Sequence, residues 1–151
     1  MPGDYTYAEK SWPLDEGLDS WGVSRVKLFY KIHYALQYPA AKIECESDGA
    51  VLAIPRSEAE NDFIADLIPN ERIWIGINDM DQEGLFVGVD GSQISWTKWA
   101  PGQPDQGLGE DGVEIVQGID GQTIPKSWND AAISDFRRFV CLRYIHIESI
   151  G

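Results

Sequence analysis

The apolar pattern of this chain changes near residue 70, and that change limits the fold more than any other feature of the sequence. Before this point, Pro39 can open a short helix that runs to Cys45, and Ser57-Glu58-Ala59-Glu60 is a capping box ahead of an apolar stripe of helical period. After it, short runs rich in β-branched and aromatic residues alternate with loops that contain Gly, Pro and Asp. This arrangement predicts an α+β fold.

The strand signals and the chain length together predict one domain with ends of less regular sequence. At 151 residues with 43% hydrophobic positions, the chain can bury a single core. We expect an irregular extension over residues 1–24, one domain over 25–144 and a C-terminal tail over 145–151. No apolar run has the length of a membrane span, and the first residues lack a signal-peptide pattern, so we expect a mature form without membrane insertion. The predicted strands are 26–32, 73–77, 85–87, 113–116 and 139–142.

The stretch from Trp99 to Gly112 shows no periodicity and carries two prolines and several glycines. Loops of about 12–15 residues or more are usually functional when they occur in a compact domain. We therefore interpret this stretch as a binding loop.

Acidic residues outnumber basic residues 25 to 12, which gives a formal net charge of -13. Because such a chain repels phosphate backbones, nucleic acid is excluded as a partner. The acids are also concentrated in one region, where only Lys98 and Lys126 oppose them. Oxygen ligands crowded in this way favour a hard cation, and calcium becomes the candidate. The ten acids of this region are Asp79, Asp81, Glu83, Asp90, Asp105, Glu110, Asp111, Glu114, Asp120 and Asp130.

The segment from Asp79 to Gly84 imitates the first half of an EF-hand loop, with oxygen ligands at alternate positions and glycine at the sixth. The twelfth position is Asp90 instead of Glu, and the flanking sequences are typical of strands instead of helices. An EF-hand is therefore disfavoured. A solvated acidic turn between two strands is the simpler alternative.

The chain has two cysteines, Cys45 and Cys141, which are either two buried thiols or the two ends of one bridge. Their spacing fits neither a zinc site nor a redox motif. A bridge closing so long a loop would stabilise the fold by about 4–5 kcal/mol in the chain-entropy model. It would also require an oxidising compartment, so we expect a secreted or extracellular protein.

Several motifs, in order, resemble the C-type lectin family over roughly residues 25–144. Trp74-Ile75-Gly76-Ile77-Asn78-Asp79 is similar to its second-strand signature, Gln103-Pro104-Asp105 to its long-loop sugar motif, and Trp128-Asn129-Asp130 to the strand motif that follows. The resemblance implies two helices with short antiparallel sheets and a long calcium-binding loop region. It also implies a disulfide between Cys45 and Cys141 and a cis peptide bond before Pro104.

The resemblance assigns two sets of calcium ligands to this sequence. Residues of mixed charge from two segments would form the principal site, where neighbouring sugar hydroxyls complete the coordination of Ca²⁺ and hydrogen-bond to the side chains of Gln103, Asp105, Glu110 and Asn129. The order Gln-Pro-Asp goes with galactose-type sugars in the family. The principal ligands are Gln103, Asp105, Glu110, Asn129 and Asp130, and the auxiliary ligands are Asp79, Glu83, Gln106, Glu110 and Asp111.

Three departures from the family pattern concern the loop region. The cysteines expected near Gly112 and Ile133 are missing, so we expect the loops to depend more on calcium for their order. No aromatic residue follows Asp105 to stack on a sugar ring. The connection over residues 118–127 is longer than usual. The four tryptophans of the region, Trp74, Trp96, Trp99 and Trp128, are expected to pack in the core.

The leading hypothesis is calcium-dependent carbohydrate binding without catalysis, with glycans of the galactose or N-acetylgalactosamine type as partners. The alternative is a protein-binding or ice-binding domain with the same fold, because function resides in the site and not in the fold. A glycosidase with paired carboxylates such as Glu110 and Asp130 is disfavoured, since nothing marks either as a proton donor. Assembly into a homo-oligomer is compatible with the sequence.

Overall fold

The computed structural model of this chain describes residues 5–12, 24–104, 110–117 and 124–146. Within these residues the chain forms two helices and eight strands, which agrees with the predicted α+β class. In chain order they are β1 (Thr6–Trp12), β2 (Ser24–Leu36), α1 (Tyr38–Ser47), β3 (Val51–Leu52), α2 (Glu58–Leu67), β4 (Ile73–Asn78), β5 (Val87–Gly88), β6 (Gly112–Val116), β7 (Ser127–Ala131) and β8 (Arg137–His146).

Both helices begin at the signals that the sequence predicts. Pro39 lies in the first turn of α1, where its missing N–H costs no intrahelical hydrogen bond. The Ser57 side chain caps α2 by accepting a hydrogen bond from the backbone N–H of Glu60. The Glu60 carboxylate accepts from the N–H of Arg56, so the reciprocal bond lies one residue outside the usual capping box.

The strands form one mixed sheet in the order β1-β2-β8-β4-β6-β7, with β3 added to β8 and β5 added to β4. Most pairs are antiparallel, but β4 runs parallel to β8. The predicted fold class, two helices with short strands, is confirmed, and the parallel pair is a detail that the sequence does not indicate. Parallel pairing requires a long crossover connection, and here β5, β6 and β7 with their loops lie in the chain between β4 and β8.

Two apolar clusters hold the sheet to the helices. The larger packs α2 against β4, β6 and the fully buried Trp128. The smaller surrounds Tyr38, Trp74 and Phe139 and contains the disulfide between Cys45 and Cys141. The bridge therefore ties α1 to β8, as the family resemblance implies.

The N-terminal segment differs from its prediction. Residues 6–12 form β1, which pairs antiparallel with β2 from Thr6↔Tyr30 to Trp12↔Ser24, whereas the sequence predicts an irregular extension. A strand that is defined by its partner gives little local signal, because pairing supplies its stability.

Strands β3 and β7 also lie outside the apolar patterns, and β5 is shorter than predicted. The domain boundaries stay predictions. In the described ranges, no helix is both long and apolar enough to span a membrane.

Candidate metal centre

Three acidic side chains meet at one edge of the sheet, close to the ends of β4 and β6. One oxygen from each of Asp79, Glu83 and Asp111 lies within 4.8 Å of the other two. Asp79 directly follows β4 and Asp111 directly precedes β6, and the backbone N–H of Asp79 donates to the Asp111 carbonyl at 3.0 Å. The pairing of β4 with β6 therefore brings together two acids that are distant in sequence.

A tight turn returns Glu83 to Asp79. The backbone N–H of Gly84 donates to Asp79 Oδ2 at 2.8 Å, and Gly84 adopts a φ of 86°, which favours glycine. At the start of the turn, Asn78 Oδ1 accepts from the N–H of Met80 at 3.0 Å. Strands β4 and β5 flank this turn, so the segment is not an EF-hand.

The charges of this cluster are poorly compensated within the described residues. Asp79 is 1% exposed, and the Oδ1 atoms of both Asp79 and Asp111 are buried without a hydrogen-bond partner. Burial raises the pKa of Asp79, and a hydrogen bond with Asp111 is the main cause that raises the pKa of Glu83 to about 6. Orphaned carboxylate oxygens beside a third acid form a donor set that fits a hard divalent cation such as calcium. Asp79, Glu83 and Asp111 of the predicted auxiliary set are thus brought together.

The predicted principal ligands that the structure describes lie on segments joined by backbone hydrogen bonds or strand pairing. The N–H of Trp128 donates to the Lys98 carbonyl at 2.7 Å, and the N–H of Ala100 donates to the Trp128 carbonyl at 2.8 Å. These bonds tie the loop before Gln103 to β7, which carries Asn129 and Asp130. Asp130 is fully buried opposite Val113 in β6.

The start of β6 completes this neighbourhood. Gly112 pairs with Ala131, so Glu110 and Asp111, which precede β6, lie at the same edge as the end of β7. The peptide bond between Gln103 and Pro104 is cis, as the resemblance implies. Two of the predicted ligands, Asp105 and Gln106, lie outside the described residues.

An additional acid, Glu114, contacts the predicted ligand Asn129 and was not assigned a role from the sequence. It is fully buried in β6, and its Oε2 accepts from Asn129 Nδ2 at 2.8 Å. Arg72 Nη1 donates to the same oxygen at 3.0 Å, and Arg137 Nε donates to Oε1 at 2.9 Å. A sequence signal existed, because an acid between Val113 and Ile115 interrupts an otherwise apolar strand.

The tryptophans of this region provide support for the loops. Trp74 and Trp128 are fully buried, as predicted. Trp96 and Trp99 are half-buried and each packs edge-on against Trp128, with ring centroids 5.6 Å apart. Trp128 Nε1 donates to Asn61 Oδ1 at 2.8 Å, which ties β7 to α2. The loop that carries Trp96 and Trp99 therefore packs against β7 through one aromatic cluster.

Comparison with known proteins identifies the family to which this chain is similar. Residues 34–143 match the family model described as the lectin C-type domain. Lectin BRA-3 of Megabalanus rosa is 32% identical over 111 residues, which cover 72% of this chain and 65% of that protein. The chain therefore spans slightly less than two thirds of the length of this relative.

Solved structures show the same fold. The C-type carbohydrate-recognition domain of cow CD23, determined in the presence of a GlcNAc2Man3 oligosaccharide, has a TM-score of 0.70 and 27% identity, with 96% of each chain covered. A calcium-independent type II antifreeze protein has a TM-score of 0.69 and 22% identity, with 80% of this chain and 88% of that chain covered. The second likeness concerns the fold alone.

Proposed function

Because the chain belongs to the C-type lectin domain family, we propose that it binds carbohydrate in a calcium-dependent manner and prefers galactose or N-acetylgalactosamine. The observation that carries this proposal is the cluster of Asp79, Glu83 and Asp111, where two buried carboxylate oxygens have no hydrogen-bond partner in the described structure. A site of this kind is costly to keep unless a cation neutralises it. Of the predicted sugar ligands, Glu110 directly precedes Asp111 in the chain.

Each side chain of the principal site would have its own role in sugar recognition, set by whether it can donate or accept hydrogen bonds. Bound calcium would supply positive charge and coordination positions that two vicinal sugar hydroxyls can fill. The Gln103 amide can donate and accept, whereas the Asp105 carboxylate only accepts. The order Gln-Pro-Asp therefore favours two sugar hydroxyls of which one accepts a hydrogen bond from the amide and the other donates a hydrogen bond to the carboxylate. In the family this order accompanies galactose-type sugars.

The names of similar proteins support the carbohydrate part of the proposal. Lectin BRA-3 is a lectin by name, and the CD23 domain was determined in the presence of an oligosaccharide that contains mannose. We propose binding without turnover, with Glu110 and Asp130 as ligands of the ion instead of a catalytic pair. The disulfide supports a secreted or extracellular location, where glycans are the natural partners.

A second candidate is binding to a protein or to ice through the same edge of the sheet. The exposed side chains of Met80 and Leu85 flank the acidic turn and add an apolar rim to it. The fold likeness to an antifreeze protein makes this candidate relevant. The two candidates differ in whether soluble sugars compete for the site.

The decisive experiment measures glycan binding with calcium and with chelator. We expect array binding only with calcium, and weak binding of free galactose by calorimetry, on the order of millimolar or about -4 kcal/mol. Multivalent display should strengthen it. Combining Gln103→Glu with Asp105→Asn creates the order Glu-Pro-Asn and should move preference towards mannose-type sugars. Asp81→Asn, an exposed acid in the turn, is the matched control and should bind as wild type.

Each result has a stated consequence. If the protein binds calcium but neither galactose nor mannose, the carbohydrate proposal is wrong and the second candidate takes its place. If it binds sugar equally well in chelator, the calcium part is wrong. Release of reducing sugar from a bound glycan, measured over hours, would contradict the proposal that the domain only binds.

A further inference from the structure

Glu114 is a buried carboxylate in β6 that faces Asn129 across the β6–β7 ladder. The two residues are direct partners in the antiparallel register, so their side chains lie on the same face of the sheet. Asn129 Nδ2 donates to Glu114 Oε2 at 2.8 Å. A carboxylate can only accept, so this contact requires the nitrogen of the amide, and not its oxygen, to face Glu114.

Glu114 is itself held in place from the other side. Arg72 Nη1 lies 3.0 Å from Oε2 and Arg137 Nε lies 2.9 Å from Oε1. The Arg137 guanidinium also lies over the Trp74 ring, with its central carbon 5.7 Å from the ring centroid. Two charge-assisted bonds on a buried group leave the carboxylate little freedom to turn. The Asn129 amide is therefore fixed through Glu114 to the framework of the sheet.

We propose that Glu114 is a positioning residue: it holds one of the two Nδ2 protons of Asn129, so that Oδ1 is the atom of this amide left to bind calcium and the second Nδ2 proton is left for a sugar hydroxyl. This inference rests on the proposed function, because it concerns how Asn129 meets the ion and the sugar. Partners behind a metal ligand commonly set its orientation, and their loss typically lowers metal affinity about 10–100-fold. Glu114 would act in this way through an amide.

The proposal makes an unusual prediction for Asn129→Asp. If Asn129 were an independent calcium ligand, an added negative charge would preserve or improve affinity. If Glu114 positions it, the new carboxylate has no N–H to donate to Glu114 and is repelled from its place by the negative charge of that residue. We expect calcium affinity at the principal site to fall about 10–100-fold, while the site of Asp79, Glu83 and Asp111 keeps its affinity as an internal control.

Exchange of donor and acceptor between the two positions should restore binding. In the double variant Asn129→Asp with Glu114→Gln, the amide introduced in β6 can donate to the carboxylate introduced in β7, so we expect affinity within about threefold of wild type. Glu114→Gln alone should weaken the principal site and leave the other unchanged. A merely structural Glu114 would lower the melting temperature equally with calcium and chelator, and would give no recovery in the double variant.

Calcium titration calorimetry of all four proteins, with melting temperatures in chelator, tests the proposal. Wild-type affinity in Asn129→Asp, or no recovery in the double variant, would overturn it. A wild-type protein that binds no calcium would overturn the proposed function and with it the role of Glu114 towards calcium. Should the variants fail to fold, NMR of the wild-type Asn129 side-chain amide decides. We expect slowly exchanging Nδ2 protons in chelator, and solvent-like exchange would contradict the Glu114 contact.

Discussion

Two acidic sites, one in the middle of β6 and one just before it, differ in how their buried carboxylates are compensated. Glu114 is fully buried and receives hydrogen bonds from two arginines and from Asn129. Just before the strand, Asp111 lies with Asp79 and Glu83, and two carboxylate oxygens of that cluster are buried without a partner. The hydrogen bonds of the first site are made within the chain, whereas the second site would be completed by the cation that we propose. The hydrogen bonds of the first site should therefore persist in chelator, whereas we expect the stability of the second site to depend on calcium.

The largest expected effect comes from breaking the first site. Arg137→Ala leaves Glu114 buried with one arginine instead of two, and removal of one partner of a buried ion pair typically costs about 3–5 kcal/mol. We expect this loss in the free energy of unfolding by denaturant titration in chelator, where calcium makes no contribution.

The neighbouring arginine is a matched control for this experiment. Arg138 follows Arg137 in β8 and pairs with Glu71 at 3.0 Å, and the two side chains are 40% and 47% exposed. Arg138→Ala should cost no more than about 1 kcal/mol, because exposed ion pairs contribute little. Equal losses in the two variants would show that Glu114 is not the buried, paired charge that the comparison requires.

The second effect concerns calcium and the second site. Calcium at one hundred times its dissociation constant should stabilise the folded protein by about 2.7 kcal/mol. For a domain of this size, that corresponds to a rise in melting temperature of about 5–10 °C. Chelation should also speed amide exchange over residues 110–117 and 124–130 more than in α1 and α2, since the loops lack a second disulfide. Identical exchange in both conditions would contradict this dependence.

The positions where the family pattern expects that second disulfide are packed around Tyr38 instead. A side chain on Gly112 would meet the Tyr38 ring at 2.8 Å, and the Tyr38 N–H donates to the Ile133 carbonyl at 3.0 Å. The Tyr38 hydroxyl lies 2.9 Å from the Ile75 carbonyl and 3.0 Å from that of Ile77. One buried ring therefore joins α1, β4 and β6 close to the acidic cluster, but it does not cross-link the loop.

The sequence predicted local features well and long-range contacts poorly. The Ser57 cap, the Pro39 start and the Asp79 turn are encoded within a few residues, so pattern and composition were sufficient for them. The strand β1 is defined by its pairing with β2, which local pattern does not show. The convergence of Asp79 with Asp111 followed from family resemblance, and the structure shows its cause in the pairing of β4 with β6.

Glu114 shows most clearly why part of the site escaped prediction. Its position between apolar residues marks it as unusual, but its partners Arg72 and Arg137 are 42 and 23 residues away in sequence. Nothing local indicates which of the basic residues will reach it. Only the arrangement of β6 beside β4 and β7, with β8 on the other side of β4, makes the contact evident.

The smallest expected effect is a gain in stability, whereas most substitutions of buried residues lower the stability of a protein. In chelator at pH 7, Asp79→Asn should stabilise the protein by about 1 kcal/mol, because it removes an unpaired buried charge. The amide oxygen can still accept the N–H of Gly84. In saturating calcium the same change should destabilise, because a ligand is lost. Asp81→Asn is the exposed control and should change stability by less than about 0.5 kcal/mol in either condition.

The pH dependence separates charge relief from any other cause of that gain. The pKa of Asp79 is raised by burial, and that of Glu83 is raised to about 6. A carboxyl group with a higher pKa in the folded chain binds its proton more tightly there, so this penalty on folding is fully present above about pH 6 and fades as pH falls towards the ordinary carboxyl pKa of about 4. In chelator, the advantage of Asp79→Asn over wild type should therefore shrink between pH 7 and pH 4.5, as measured by urea unfolding. A constant advantage across that range would mean that packing, and not unpaired charge, distinguishes this cluster from Glu114.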